Sequence, residues 1–563
     1  MQKKQNCEQE NKSINTAELM VKCLENEGVE YIFGIPGEEN LAVIDALNRS
    51  SIRFIITRHE QGAAFMADVY GRLTGHAGVC LATLGPGATN LVTGVADANG
   101  DGAPLVAITG QVGTERMHIT SHQYLDLTKM YEPVSKRTKL VVRPDTINEI
   151  VRLAFKYAES ERPGAAHIDL PVNISKMTIS SGGKPLKRVS PHKEFADISN
   201  IESAAAEIFK AKKPVILAGS SAVRNHAFTA ITRFAETLKI PVVNTMMAKG
   251  IIPCTSKYAM MTIGIPQKDY ANQIVAASDL IIAIGYDIVE YSPSKWNPDG
   301  SIPIIHVGTR PAHINKCYQC RVEVVGDISK SLELIQARTD RYTEPEFALS
   351  TKAKFKAEQS TYADDRSFPA KPQKILHDVR QVMGEDDILL SDVGAHKMWI
   401  ARLYECHRPN TCIISNGFAT MGIALPGAIA AKLVYPDQKV LAVVGDGGFM
   451  MNVQELETAV RLKLNFVVLI FHDCSYGLIK WKQMDQYGAN SCVDFTNPDF
   501  VRLAEAMYCK GYRIEKVEDL IPTLENAFAQ KVPAIIDCMV DYSENVKLSK
   551  HLQAISSELM AAF

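Results

Sequence analysis

The sequence predicts an α/β protein of three doubly wound parallel-sheet units, spanning residues 14–180, 195–340 and 370–545. Three observations predict it. Short apolar runs, each long enough for one strand, alternate with amphipathic helical spacings, the pattern of parallel sheets covered on both faces. Two polar stretches interrupt the alternation: Ser180 to Lys193, rich in turn formers, and Thr339 to Lys371, part of it charged and helical in character. The length of 563 residues holds about three or four domains at roughly 150 residues each.

The first unit reads as helix (Ala17 to Gly28), strand (Tyr31 to Gly34), helix (Asn40 to Ser50), strand (Arg53 to Ile56), helix (Glu60 to Thr74) and strand (Gly78 to Thr83), with a further strand at Val106 to Ile108. Gly85-Pro86-Gly87, just after the Gly78 to Thr83 strand, lacks the third glycine of a dinucleotide fingerprint. The second unit has strands near Val215 to Ala218, Val242 to Asn244, Leu280 to Ile284 and Ile304 to Val307. In the third, a strand at Ile388 to Leu390 runs into Asp392-Val393-Gly394-Ala395-His396. Lys439 to Gly445 is a strand, Asn452 to Leu462 has helical spacing, and Phe466 to Phe471 is a second buried strand.

That last strand–helix–strand is a βαβ unit, whose parallel strands end on the same edge. Gly445-Asp446-Gly447-Gly448 and, 27 residues after Asp446, Asp473 therefore emerge side by side at the carboxyl edge, where open α/β sheets bind ligands. Two carboxylates there suit a hard cation such as magnesium, whose remaining oxygens come from phosphate and water. The glycines allow close backbone approach, and a helix opening near Asn452 offers N–H groups to an anion. A lone Gly-Asp-Gly is also a common strand-to-helix turn; the paired Asp473 favours the metal. Glu60 has a bland reading too, as an acid at a helix N-terminus.

Composition excludes several classes. Hydrophobic residues make up 46% and charged residues 22%, as in ordinary globular proteins. A net charge of −2 gives no electrostatic case for nucleic acid or an acidic membrane surface. No apolar run approaches the roughly 20 residues of a membrane helix. Met1 to Ser13 is polar, without a signal-peptide core, and reads as a disordered tail. The 12 cysteines are scattered, many in apolar strands, as expected of reduced thiols in a cytoplasmic protein. Cys317 and Cys320 form a CxxC pair with no second pair to complete a zinc site.

Gly445-Asp446-Gly447 with Asp473 resembles the signature of the thiamine-diphosphate-dependent enzymes, and the resemblance extends over all three units. It implies pyrimidine-binding, middle and diphosphate-binding domains. It implies that Asp446, Asp473 and the backbone carbonyl of Ser475 hold Mg2+. Arg58-His59-Glu60 matches the segment whose Glu hydrogen-bonds a pyrimidine nitrogen of the cofactor, making Glu60 catalytic. A carboxyl group there drives the tautomerisation by which the cofactor's own amino group removes the thiazolium proton. The same resemblance assigns cofactor contacts to Ile35, Pro36, Pro86 and Asn90 in the first unit. In the third it assigns them to Val393, Gly394, Ala395, His396, Ala419, Met421, Gly445, Asp446, Gly447, Gly448, Asp473, Ser475, Tyr476, Gly477 and Leu478. Met421 props the cofactor into a bent shape; read alone, it is core filler.

Within that family the chain resembles acetolactate synthases, particularly the catabolic, FAD-independent type. Ser415-Asn416-Gly417, the run Glu455 to Lys463, His122-Gln123, Gly285-Tyr286-Asp287 and Glu290-Tyr291 carry this resemblance. It implies that one pyruvate is decarboxylated and its hydroxyethyl unit joined to a second, with Gln123 positioning the acceptor and Gln111 a second candidate. It implies no FAD, and a homodimer or homotetramer with the site at the subunit interface, since the acid and the diphosphate site come from different subunits. Departures fall at Glu38-Glu39, at Ala395 where Gln is common, at Leu478 in place of Met, and at Lys482 where FAD-dependent members carry Trp. The one at Ala395 implies a missing side-chain contact in the diphosphate loop; the others bear on the acceptor pocket. Other thiamine-diphosphate chemistries on 2-oxo acids stay open as alternatives: an FAD-requiring acetohydroxyacid synthase, a pyruvate oxidase or a decarboxylase.

Overall fold

The structure is a computed structural model and describes residues 13–179, 183–189, 194–265, 269–340 and 343–561. The expected tail before Ser13, and residues 180–182 and 190–193 of the expected linker, lie outside the described residues.

Three six-stranded sheets organise the chain, every ladder in them parallel. The first is built from β1 (Tyr31–Gly34), β2 (Arg53–Ile56), β3 (Gly78–Ala82), β4 (Leu105–Gln111), β5 (Arg137–Leu140) and β6 (Ala165–Pro171), in the order β2-β1-β3-β4-β6-β5. The middle sheet comprises β7 (Pro214–Ala218), β8 (Val242–Asn244), β9 (Ala259–Thr262), β10 (Leu280–Ile284), β11 (Ile304–Gly308) and β12 (Cys320–Val325), ordered β9-β8-β7-β10-β11-β12. The third holds β13 (Ile388–Ser391), β14 (Cys412–Ile414), β15 (Val440–Gly445), β16 (Val467–His472), β17 (Lys510–Ile514) and β18 (Ala534–Met539), ordered β14-β13-β15-β16-β18-β17.

The first and third sheets thus share one strand order, and the middle sheet has the 3-2-1-4-5-6 order of dinucleotide-binding folds. Each has a point where the winding reverses: between β1 and β3, between β7 and β10, and between β13 and β15. Adjacent crossovers leave those edges in opposite directions, opening a crevice at the carboxyl ends of the strands. The strand pairs at these points are largely buried and mostly Val, Ile, Leu and Ala, with Phe33 and Cys80 added in the first sheet, as sheets covered on both faces require.

Two compact units result, one holding the first sheet and the other the middle and third sheets. In the second unit one apolar core runs from Leu217, Ile281 and Trp296 under the middle sheet to Trp399, Leu441 and Leu469 under the third. Helix Glu346–Ser360, in the expected polar stretch, contributes Ala348 and Phe355 to that core.

One sequence expectation needs correction. The helix after β15 does not open near Asn452. It starts at Asp446 and runs to Met451, breaks over 452–454, and resumes at Glu455–Arg461. Asn452 is fully buried and its amide donates to the Gly422 carbonyl at 3.0 Å, so it ties a neighbouring loop and offers no anion site.

Candidate active site

In the first unit, the β1–β3 crevice gathers the expected residues. Glu60 is the first residue of helix Glu60–Thr74 and is 8% exposed. Its Oε2 accepts a hydrogen bond from Asn90 Nδ2 at 3.0 Å. Asn90 lies on helix Pro86–Asp101, which Pro86 opens with its ring-fixed φ. Gly87 lies against the acid: a Cβ there would come within 3.3 Å of Glu60 Oε1. Ile35 and Pro36 leave the end of β1, and the turn after them is closed by Gly37 N donating to Asn40 Oδ1 at 2.8 Å.

Gln123 is exposed on the turn that packs over Gly85, where an added Cβ would lie 2.9 Å from the Gln123 carbonyl. Both backbones are left-handed, φ 57 at Gln123 and φ 51 at Gly85. A non-glycine residue in that region stores strain that the surroundings must hold, and such strain gathers at functional sites. What holds it is Gln111. This residue is buried, its Nε2 donating to the Leu125 carbonyl at 3.0 Å and to Asp169 at 3.1 Å. Gln111 is therefore a strut beneath the turn. Burial raises the Asp169 carboxyl to about 7, offset in part by its bonds from Gln111 and Thr109.

The second unit carries the carboxylate pair at the ends of β15 and β16. Asp446 is 1% exposed. Its Oδ1 accepts from Gly447 N at 2.9 Å; its Oδ2 accepts from Cys474 N at 2.7 Å and Asn497 Nδ2 at 2.8 Å. Burial and the Asp446 charge raise the Asp473 carboxyl to about 7, with Lys480 and His472 pulling it back. Ser475 is buried, its hydroxyl donating to Asp494 at 3.0 Å. Tyr476 stacks obliquely on Phe495 at 5.0 Å, Gly477 opens helix Gly477–Tyr487, and Leu478 packs against the core.

Glycines line the opposing wall. A Cβ at Gly447 would fall 2.9 Å from the Tyr476 ring, one at Gly448 3.0 Å from Asp392, and one at Gly445 3.4 Å from the His396 ring. Val393 N bonds to Asp392, Gly394 admits the His396 ring, and Ala395 opens helix Ala395–Leu403. Burial pushes the His396 imidazole down to about 3, and its Nε2 is buried without a hydrogen-bond partner. An orphaned buried nitrogen, backbone kept bare by glycine and two coupled carboxylates make a donor set that fits a metal-bound diphosphate.

Asp392 organises this wall. It is 1% exposed, accepts Gly422 N on both oxygens at 2.8 and 3.0 Å, and burial raises it to about 7. With Asn452 it pins the segment bearing Ala419 and Met421. Ala419 is left-handed at φ 61 and Met421 is half-buried. Sequence reasoning gave no role to Asn497, placed Asp392 only within the expected diphosphate loop, and read Asn452 only as the start of a helix.

At the β7–β10 crevice of the middle sheet, the Glu290 carboxylate is buried and accepts Ser220 N at 2.8 Å and Ser220 Oγ at 2.9 Å. A Cβ at Gly219 would lie 2.8 Å from it. The Glu290 carbonyl accepts Asn416 Nδ2 at 2.7 Å, tying this edge to the Ala419 segment. The CxxC pair is structural in setting: Cys317 is buried, its thiol donating to the Pro298 carbonyl at 3.1 Å.

Comparison with known proteins finds matches in all three domains. Residues 14–130 match the N-terminal TPP binding domain of thiamine pyrophosphate enzymes, residues 201–335 their central domain, and residues 392–538 their C-terminal TPP binding domain. The chain is 36% identical over 539 residues to an acetolactate synthase of Bacillus subtilis (strain 168), covering 95% of this chain and 94% of that protein. It is 36% identical over 543 residues to a catabolic acetolactate synthase of Raoultella terrigena, covering 95% and 97%. A probable acetolactate synthase large subunit of Methanococcus aeolicus is 34% identical over 566 residues, covering 95% and 93%. The chain belongs to the thiamine pyrophosphate enzyme family. Within that family it groups with the acetolactate synthases over nearly its whole length. In this thiamine pyrophosphate enzyme the matched N-terminal segment contains Glu60 and Asn90, and the matched C-terminal segment contains Asp392, Asp446 and Asp473.

Proposed function

We propose that the chain is an acetolactate synthase, converting two pyruvates into 2-acetolactate and carbon dioxide. The observation that carries this reading is the near-full-length identity to acetolactate synthases in a chain that keeps a buried acid in the first unit and a glycine-walled carboxylate pair in the second. Thiamine diphosphate, when bound, supplies a thiazolium carbon that adds to a 2-oxo acid and accepts the electrons left by departing carbon dioxide. Glu60 would share a proton with the pyrimidine nitrogen, with Asn90 fixing its carboxylate. Asp446, Asp473 and the Ser475 carbonyl would hold magnesium, and the backbone along Gly445–Gly448 and Val393–His396 would face the diphosphate. Met421 would support the bent cofactor, and Gln123 would position the acceptor pyruvate.

The reaction needs no FAD in this reading. The edge of the middle sheet where a dinucleotide phosphate would bind is filled by the chain's own Glu290, which already takes the Ser220 N–H and hydroxyl that a phosphate would need. The oligomer would be a homodimer or homotetramer, with the first-unit acid of one subunit meeting the diphosphate site of another. Exposed Phe418, Met450, Met451, Tyr476 and Ile479 rim the third-sheet edge and suit such a contact. No helix among the described residues is long and apolar enough to cross a membrane, and all eleven described cysteines are free thiols, which fits a cytoplasmic setting.

Apoenzyme given magnesium, thiamine diphosphate and pyruvate, without FAD, is expected to form acetolactate, read as acetoin after acid treatment. Acetaldehyde as the sole product, or a strict need for FAD, would overturn the reading. Gln111→Leu removes the strut under the Gln123 turn. The loss of three side-chain hydrogen bonds, to Leu125, Asp169 and Val112, at about 0.5–1.5 kcal/mol each, is expected to raise KM for pyruvate roughly tenfold while cofactor affinity holds. An unchanged KM would remove Gln111 from that role.

A further inference from the structure

Donors of a different chemistry lie beside the carboxylate pair. Asp446, His472 and Cys474 each present one ligating atom, and the oxygen, nitrogen and sulfur lie within 4.8 Å of one another. Among the described residues no other group of three such side chains meets this geometry. The reaction as read above uses neither the imidazole nor the thiol.

The geometry is supported from behind. His472 Nδ1 lies 2.7 Å from Asp537 Oδ1. Asp537 is buried and also accepts Arg513 Nε at 3.2 Å. A carboxylate acceptor puts the ring proton on Nδ1 and turns the Nε2 lone pair toward Cys474, whose Sγ is 3.2 Å away. A carboxylate behind a histidine whose other nitrogen faces a ligand cluster is the arrangement that fixes metal-binding histidines. Cys474 is held in place by the left-handed turn after β16, at φ 53, and by its N–H on Asp446 at 2.7 Å. The Asn497 amide donates to both Asp446 Oδ2, at 2.8 Å, and His472 Nε2, at 3.2 Å. Both acceptors therefore aim their lone pairs at one point, held by the Asn497 NH2 group, which an incoming metal would displace.

Magnesium wants oxygen ligands and ignores a thiol. One sulfur, one imidazole nitrogen and one carboxylate oxygen, with water as fourth ligand, suit a tetrahedral, borderline-soft divalent ion. We propose that Asp446, His472 and Cys474 form a second metal site, suited to Zn2+ or Co2+, which shares Asp446 with the magnesium position and so opposes cofactor loading. Ligation forms a metal–sulfur bond and releases the thiol proton to solvent, one per ion bound. The ligand set stands independently of the functional reading; only the competition rests on Asp446 being a magnesium ligand.

Cobalt titrated into the full-length apoenzyme reads the site without turnover. The expected result is a thiolate-to-cobalt charge-transfer band with one proton released per ion. Cys474→Ser is expected to abolish the band, and Asp537→Asn, which spares every ligand, to weaken cobalt affinity by about 10–100-fold. Absence of the band in the parent protein, or its survival in Cys474→Ser, overturns the site. If Cys474→Ser fails to fold by circular dichroism, the Asp537→Asn affinity decides, and an unchanged value overturns the site. Magnesium with thiamine diphosphate is expected to displace the cobalt; a band that persists overturns the shared carboxylate and leaves the ligand set standing.

Discussion

Glu60→Gln is expected to lower turnover by about 10²–10⁴-fold, the usual contribution of a positioned acid–base group. The substitution keeps the shape of the side chain. Its amide oxygen can still accept the Asn90 hydrogen bond, which spans 3.0 Å, and Gly87 leaves the same room beside it. What it loses is the ability to share a proton with a ring nitrogen, the step by which the cofactor becomes competent. Cofactor affinity should therefore change by less than about tenfold, since one neutral hydrogen bond replaces a charge-assisted one and the difference is of order 1 kcal/mol. Single-turnover kinetics and a cofactor titration on the same preparation separate the two effects. Parental turnover in the variant would remove Glu60 from the chemistry. Asn90→Ala is a graded control: it frees the carboxylate without removing it, and a loss of roughly tenfold is expected.

How far the sequence reaches depends on whether a feature is local. Central strands such as Val440–Gly445 and Val467–His472 are unbroken apolar runs because both faces are covered, so they are visible at once. Edge strands are not: Arg137–Leu140 and Lys510–Ile514 are half exposed, carry charges and look like loop. The onset of the helix after β15 was misplaced by six residues because Gly447 and Gly448 read as breakers. The structure gives them another reason, since a side chain at either would meet Tyr476 or Asp392. Asp446, Asp473 and Glu60 were legible as candidates because the resemblance marks them, the two aspartates directly after β15 and β16 and Glu60 at the start of the helix that follows β2. Their supporting partners were not. Asn497 reaches Asp446 across 51 residues and Asp392 reaches Gly422 across 30, and no periodicity encodes a hydrogen bond between loops so far apart in the chain.

Asp446→Asn is expected to weaken thiamine diphosphate binding by about 10²–10³-fold, with kcat recovering only at elevated magnesium. Asp446 directs one oxygen at Gly447 N–H and the other at the N–H of Cys474 and the Asn497 amide. An Asn side chain has a single oxygen. Either orientation turns its NH2 group against a donor, leaving a buried pair unsatisfied at about 1–3 kcal/mol. The negative charge that draws the metal is lost as well, worth a comparable amount in a charge-assisted contact. Together these give roughly 3–4 kcal/mol, and each 1.4 kcal/mol is tenfold. A pH dependence follows from the second carboxylate. In the metal-free protein Asp473 is raised to about 7, by burial first and by the Asp446 charge second. Metal needs that group ionised, so binding below neutrality must expel its proton, and affinity should rise with pH up to about 7 and then level off. In the Asn variant one of the two causes is gone, so the break should move to lower pH. Isothermal titration of cofactor with magnesium across this range tests both parts. Undiminished affinity in the variant, or a flat profile in the parent protein, would mean the cation is held elsewhere than on this pair.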